Sequence, residues 1–448
     1  MKHILIIGAG RSATSLIHYL KKVCQEEGWG LTVGDLSIEL TLNKLGDHQG
    51  VRAIAFDVHN PEQLSQEVAA ADLVISMLPA RFHGVVARAC LTHKKHLLTA
   101  SYLPEEIRVL DEQAKAAGVL MLMECGLDPG IDHMSAMRVM DKIKEKGGEL
   151  EAFETFTGGL LAPESCMDNP WQYKFTWNPR NVVLAGTGLV KFIQEGRYKY
   201  IPYHRLFRRI EIIHIPGHGY FEGYANRDSL KYLDVYQLHG IRTLYRGTLR
   251  RPGFCRAWDI FVQLGATDDS YELEGVDQMT HRQFINSFLS YDPHNSVELK
   301  LAHYLNLELD AQEMFMLKWL GMFEEELVGL TSGTPAQVLE HILKKKWTVS
   351  PKDKDMIVMW HKFDFKQKGV HHQVQSHMVL TGQDQVNTAM SQTVGLPLGI
   401  AARQVLRNHI SVTGVHIPVV PEIYTPILDE LKGYGIDFVE REMVGVSQ

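Results

Sequence analysis

Cysteine is scarce and unpatterned in this chain. The five residues, Cys24, Cys90, Cys125, Cys166 and Cys255, are scattered, odd in number and free of any Cys-x-x-Cys pair. That argues against a disulfide framework and against a zinc site, and it favours a reducing compartment. No stretch approaches the apolar length of a membrane span. The N-terminus passes from one lysine through a short apolar strand straight into glycines, too short for a secretory signal. The expectation is a soluble, cytoplasmic protein with no membrane partner. An excess of basic charge is also missing: the formal net charge is -7, which offers no field for nucleic acid. Anionic ligands would depend on single, locally placed arginines and lysines. Internal repeats, low-complexity tracts and Pro/Ser-rich linkers are absent as well.

What remains is an ordinary globular composition, 45% hydrophobic and 22% charged over 448 residues, long enough for two or three domains. In the first third, short apolar strands alternate with helical patterns. Strands are expected at His3–Ile7, Leu31–Gly34, Val51–Phe56, Asp72–Met77, Leu97–Ala100 and Val119–Met123, with single helices over Arg11–Cys24 and Glu105–Ala117 between them. Six such strands imply a Rossmann-type, doubly wound parallel sheet. Beyond Cys125 the strands lengthen and partly alternate, as in a mixed sheet with one covered face. The expected plan is α/β: a dinucleotide-binding domain over 1–125, a mixed-sheet substrate domain over 126–256 and 353–448, and a mainly helical insertion over 257–352.

The opening HILIIGAGRSA reads as strand, glycine turn and helix start. Gly8 permits the turn, and Gly10 lets backbone approach a pyrophosphate. Ala13 packs helix on strand, while Arg11 and Ser12 sit where free N–H groups meet phosphate. Asp35 ends the second strand at the distance where a carboxylate binds the ribose hydroxyls of NAD. It would repel the extra phosphate of NADP, so NAD is favoured with NADP as the other choice; the competing reading is a helix cap. Asp57, after strand three, is either an adenine neighbour or a loop residue. Met77, Leu78 and Pro79 end strand four where the nicotinamide half should lie. Ser101 and Tyr102 end the next strand on the same edge, Tyr102 as a substrate ligand or a lid residue.

Cys125 to His133 (CGLDPGIDH) is the densest constellation, with Asp128, Asp132 and His133 crowded into a tight turn. The spacing fits no standard metal set, so no metal is expected. This stretch within ECGLDPGIDHMSAM, together with TASYLPEE, TGGLLAPE, DNPWQYKFTW, GYANRDSLKY, YRGTLRRPGF, VMWHKF and TVGLPLGIA, resembles the glutamate-forming saccharopine dehydrogenases, in the family's order from end to end. Thr157 stands where that family carries a cysteine, and Leu161 replaces a proline.

The resemblance implies an oxidoreductase of lysine metabolism acting on saccharopine, a secondary amine that joins lysine to glutamate, and it implies a homodimer. Residue by residue it makes Ser101, Tyr102, Asp128, Arg227, Thr248, Leu249 and Arg250 substrate contacts. The residue types agree, since saccharopine is rich in carboxylates and arginine binds carboxylate in a bidentate fork. Asp128, His133, Lys174 and Tyr102 are the candidates for the acid–base group, and the sequence does not choose among them. A carboxynorspermidine- or homospermidine-type synthase and a non-catalytic dinucleotide sensor are the competing readings.

Overall fold

The computed structural model describes residues 1–46 and 50–445. Six strands alternate with helices at the start of the chain: β1 (His3–Ile7), β2 (Gly30–Asp35), β3 (Val51–Ala55), β4 (Leu73–Ser76), β5 (His96–Leu98) and β6 (Leu120–Leu122). Residues 4–7 of β1 are wholly buried, as expected of a parallel strand covered on both faces. Eight further strands follow: β7 (Glu149–Leu161), β8 (Val190–Gln194), β9 (Arg197–Ile201), β10 (Ile210–Ile215), β11 (Gly219–Ala225), β12 (Thr243–Arg250), β13 (Asp355–Gln367) and β14 (Val370–Thr381). Two late strands, β15 (Gly414–His416) and β16 (Val439–Val444), complete the set.

The first sheet has the order β15-β6-β5-β4-β1-β2-β3 and is parallel throughout. The doubly wound parallel sheet is therefore present, with a seventh strand that the sequence pattern did not reveal. At three residues, β15 is too short to carry a period. It is held by main-chain pairing to β6 and by Asp111, whose Oδ1 accepts the Val415 N–H at 2.8 Å. Asp111 can do this because the helix expected over Glu105–Ala117 is two helices, Glu105–Arg108 and Asp111–Ala117. Between them the chain turns and Leu110 packs into the core. The helix expected from Arg11 likewise opens as a 3-10 turn, Arg11–Ala13, before Thr14–Glu27.

The second sheet is mixed, in the order β10-β11-β12-β7-β13-β14-β16, with β8 pairing β12 and β9. β7 and β12 run parallel, and β10, β11 and β12 run antiparallel. Helices Phe254–Leu264, His281–Asn286, Val297–Leu305, Gln312–Trp319 and Pro335–Trp347 occupy the stretch expected to be helical. Two of them start with capping boxes, Thr280 with Gln283 and Thr334 with Gln337. The aromatic residues of WQYKFTW belong to this region's core: Trp171, Tyr173 and Phe175 pack around Trp347, with Phe254 and Trp258 beside it.

The chain forms two compact units. One comprises Met1–Leu150, Phe365–His372 and Met378–Gln448; the other comprises Glu151–Asp364 and Gln373–His377. Among the described residues no helix is long and apolar enough to cross a membrane, and all five cysteines are free and buried.

Candidate functional site

In the first unit the glycine turn joins β1 to its helix. Gly8 has φ +104°, and a Cβ there would lie 3.0 Å from the Met77 carbonyl, so only glycine fits. Gly10 differs. Its φ is -63° and an added Cβ would meet nothing within 4 Å, which leaves open space above the turn. Ala13 is fully buried, as close helix–strand packing requires. At the end of β2, Asp35 accepts the Ala9 N–H at 2.7 Å through Oδ2 and the Ser37 N–H at 3.1 Å through Oδ1. Lys44 reaches over the same turn, donating to the Gly10 carbonyl and, at 2.9 Å, to the Thr14 hydroxyl. Burial pulls the Lys44 pKa below the usual lysine value and Arg11 adds to this, while Asp35 opposes it.

A cavity of about 170 Å³ opens here, lined by Gly10 to Ala13, Ser76 to Leu78, Thr99 to Ser101, and Val394. It lies at the carboxyl ends of β1 and β4, where a doubly wound sheet takes its ligand. The open space at Gly10, the carboxylate of Asp35 and the cavity together fit a dinucleotide. Gly8, Gly10, Arg11, Ser12, Ala13, Asp35, Met77 and Leu78 are brought to this edge. Pro79 is exposed and begins the next turn outside the lining. Asp57 is also exposed, and its Oδ1 is engaged by the His59 N–H at 2.9 Å in a local turn.

The CGLDPGIDH segment is a tight loop leading into the helix Ile131–Glu145. Asp128–Pro129 is a cis peptide, and Gly130 has φ +147°, with a virtual Cβ 2.1 Å from the Gly126 carbonyl oxygen. Asp132 Oδ1 accepts the Gly130 N–H at 2.6 Å, which fixes the loop from within. His133 is fully buried, and its Nε2 lies 2.8 Å from Glu124 Oε2. Glu124 in turn accepts the Leu103 N–H at 2.9 Å, next to Tyr102. Tyr102 and Asp128 are half-buried, with the phenol donating to Asp128 Oδ1 at 3.5 Å. The loop thus brings two of the acid–base candidates together, and His133 stands behind them as a buried brace.

In the second unit, β12 carries Thr248, Leu249 and Arg250. Arg250 is only 3% exposed. Its Nη1 donates to the Leu249 carbonyl at 2.9 Å, Nε has no hydrogen-bond partner, and no ion pair of Arg250 is found among the described residues. Tyr173, Phe254 and Tyr224 surround the guanidinium at 5.0, 5.2 and 5.7 Å from their ring centroids. Thr157 faces Thr248 in the β7–β12 register, and its buried hydroxyl also lacks a partner. A buried cation with no carboxylate partner is costly unless something completes it. Arg227 is exposed and held in the left-handed region at φ +52°, with its carbonyl accepting the Lys191 N–H at 3.0 Å. Lys174 is otherwise engaged: its Nζ donates to Asp353 Oδ2 at 2.7 Å. Burial works against the Asp353 charge, yet Lys174 and Ser350 hold its pKa below the usual carboxylate value.

Sequence reasoning missed His83, whose ring joins Ser76 to Ser101, and it missed Lys44. The signal for both was weak, since each partner lies on another segment of the fold. Among the described residues no cluster of His, Cys, Asp and Glu could hold a metal ion.

Comparison with known proteins connects these features. Residues 4–122 match the family described as "Saccharopine dehydrogenase NADP binding domain", and residues 126–436 match "Saccharopine dehydrogenase C-terminal domain". The chain is 33% identical over 451 residues to "Alpha-aminoadipic semialdehyde synthase, mitochondrial" of Bos taurus, covering 99% of this chain and 48% of that protein. It therefore spans about half the length of the animal and plant relatives it matches. It is 31% identical to "Saccharopine dehydrogenase [NADP(+), L-glutamate-forming]" of Schizosaccharomyces pombe, covering 98% of this chain and 99% of that one. The solved apo saccharopine dehydrogenase (L-Glu forming) of Saccharomyces cerevisiae superposes with a TM-score of 0.89 at 29% identity, covering 99% of this chain and all of that one. With both family matches in order along one chain and relatives alike from end to end, this protein belongs to the saccharopine dehydrogenase family.

Proposed function

We propose that this chain interconverts saccharopine with L-glutamate and L-2-aminoadipate 6-semialdehyde, using NAD in preference to NADP. The observation that carries the reading is Arg250, a buried guanidinium with no carboxylate partner among the described residues. A substrate carboxylate would complete it, and the arginine keeps its charge across the working pH range. Arg227, exposed and in a strained backbone conformation, would take another carboxylate, with Thr248 and Leu249 shaping the strand beside Arg250. A polyamine substrate would leave the buried Arg250 guanidinium without a carboxylate, which argues against the synthase alternative.

Gly8, Gly10, Arg11, Ser12, Ala13, Asp35, Met77 and Leu78 would hold the dinucleotide, whose nicotinamide supplies the two-electron acceptor when bound. Asp128, already in contact with the Tyr102 phenol, is the best-placed group to take the proton from the secondary amine. His133 and Lys174 are each tied to a carboxylate and serve the fold in this reading. Ser101 and Tyr102 would orient the substrate. With that proton lost and a hydride from the adjacent lysine-derived carbon passed to the bound dinucleotide, the amine would become an imine; water would add to it and the carbon–nitrogen bond would break, releasing glutamate and the aldehyde.

The relatives are named for NADP(+), whereas the Asp35 carboxylate at the end of β2 would repel an extra phosphate on the ribose, so the preference is tested directly. The first experiment is absorbance of the reduced nicotinamide on adding saccharopine to enzyme with NAD, then with NADP. Faster reduction of NAD supports both parts of the proposal. Faster reduction of NADP removes the cofactor preference, and no turnover with either removes the substrate. A cytoplasmic homodimer completes the reading, and a sedimentation mass of two chains would support the dimer.

A further inference from the structure

Ser76, His83, Thr99 and Ser101 come from three separate segments and meet at the wall of the cavity described above. His83 is wholly buried. Its Nδ1 lies 2.9 Å from the Ser76 hydroxyl and its Nε2 lies 2.7 Å from that of Ser101, with Thr99 Oγ1 at 3.4 Å. Ser101 is tied down a second time, through its N–H to Thr99 Oγ1 at 3.3 Å. Burial pushes the His83 pKa down to about 4, with Glu106 pulling weakly the other way, so the ring is neutral at neutral pH. A neutral imidazole has one donor and one acceptor.

The shorter contacts, Ser76 at Nδ1 and Ser101 at Nε2 against the longer Thr99 contact, favour one tautomer. Ser76 is fully buried, and the His83 ring is the one side-chain partner seen for its hydroxyl among the described residues. A buried O–H left without an acceptor is costly, so Ser76 donates to Nδ1. The ring proton then sits on Nε2 and is donated to Ser101 Oγ. That leaves the hydroxyl proton of Ser101, a half-buried residue that lines the cavity, free to point at a ligand.

We infer that His83 is a positioning residue: it turns the Ser101 hydroxyl into an oriented donor for an anionic oxygen, a carboxylate of the substrate, in the cavity. This deepens the proposed function and rests on it for the identity of the carboxylate. Without His83 the Ser101 hydroxyl would rotate freely, and its hydrogen bond to a carboxylate would have to be ordered on binding.

The test is saccharopine affinity of the enzyme–NADH complex, measured by calorimetry so that no turnover is needed. Four proteins are compared with wild type: His83→Asn, His83→Gln, Ser101→Ala and the double variant His83→Asn/Ser101→Ala. A glutamine amide can reach where Nε2 was and donate to Ser101, whereas an asparagine amide ends near Nδ1. The expected result is a loss of about tenfold for His83→Asn and for Ser101→Ala, the worth of one hydrogen bond to a charged group. The double variant should be no worse than Ser101→Ala, and His83→Gln should recover most of the loss. Equal additional loss from His83→Asn in the Ser101→Ala background overturns the inference, as does His83→Gln behaving like His83→Asn. If wild type binds no saccharopine, the proposed substrate fails, and the inference is then judged on the ring itself. The histidine nitrogen-15 signals missing from His83→Gln must report a neutral ring protonated at Nε2 at pH 7. A ring protonated at Nδ1, or charged, overturns it.

Discussion

Asp35 Oδ2 accepts the backbone N–H of Ala9 at 2.7 Å, so the end of β2 and the glycine turn after β1 are fixed to one another by a carboxylate. The same carboxylate is the group that would meet the adenosine ribose. Asp35→Ala should weaken NAD binding about tenfold or more, as expected for losing a charged hydrogen bond, and should strengthen NADP binding. Titration of NADH and NADPH fluorescence measures both. Unchanged preference would mean that Asp35 only holds the turn.

Gly8 and Gly10 separate structure from binding. Gly8→Ala places a Cβ 3.0 Å from the Met77 carbonyl on a backbone with φ +104°, so it should cost more than about 1 kcal/mol of stability. Gly10→Ala meets no atom within 4 Å at a φ that alanine adopts freely, so its Tm should stay close to wild type. Its methyl group would occupy the space a pyrophosphate needs, and cofactor affinity should fall at least tenfold, or about 1.4 kcal/mol. Thermal melts beside cofactor titrations would show whether the two losses divide this way.

Arg250→Met should raise the KM for saccharopine by about a hundredfold, in line with removing a bidentate partner of a carboxylate. Because the buried guanidinium has no carboxylate partner among the described residues, the apolar replacement should leave stability unchanged or increased. A lower Tm together with an unaltered KM would assign Arg250 to the core.

His83 gives a pH signature. Its folded pKa of about 4 lies below the ordinary histidine value of 6.5, so between those values the unfolded chain binds more protons than the folded one. Stability from this group is complete above about pH 6.5 and is lost as pH falls toward 4. From pH 7 to pH 5 the loss is about 2 kcal/mol. Denaturant unfolding at the two pH values should show a smaller drop in His83→Gln than in wild type. Equal drops would mean that the buried ring does not titrate on unfolding as described.

Much of this was legible in the sequence, and the reasons differ by element. HILIIGAGRSA announced a strand, a turn and a helix because the apolar run is local and glycine is demanded by sterics within a few residues. Asp35 followed from its distance to that turn. β15 was not legible because three residues held by main-chain pairing leave no pattern of side chains. The split of Glu105–Ala117 into two helices answers to a partner three hundred residues away, the Val415 N–H on Asp111. The His83 relay was hidden for a similar reason: Ser76, His83 and Ser101 become neighbours only when β4 and β5 pair. Lys174 stood out among the aromatic residues of YKFTW, yet nothing nearby in sequence pointed to Asp353.

The strand β15 and the helix Ala389–Leu406 make the two ends of the chain one object. β15 closes the edge of the sheet against β6, and Gly395 and Gly399 of the helix lie flush against Leu16 and Tyr19 of the helix that follows the glycine turn. A ribosome making this protein therefore releases the first six strands long before the pieces that finish their sheet exist. The nascent nucleotide unit has to wait, incompletely covered, through the synthesis of nearly three hundred intervening residues. Its need for chaperones should be greatest in that interval, and a chain stopped before residue 389 should be a client for proteolysis.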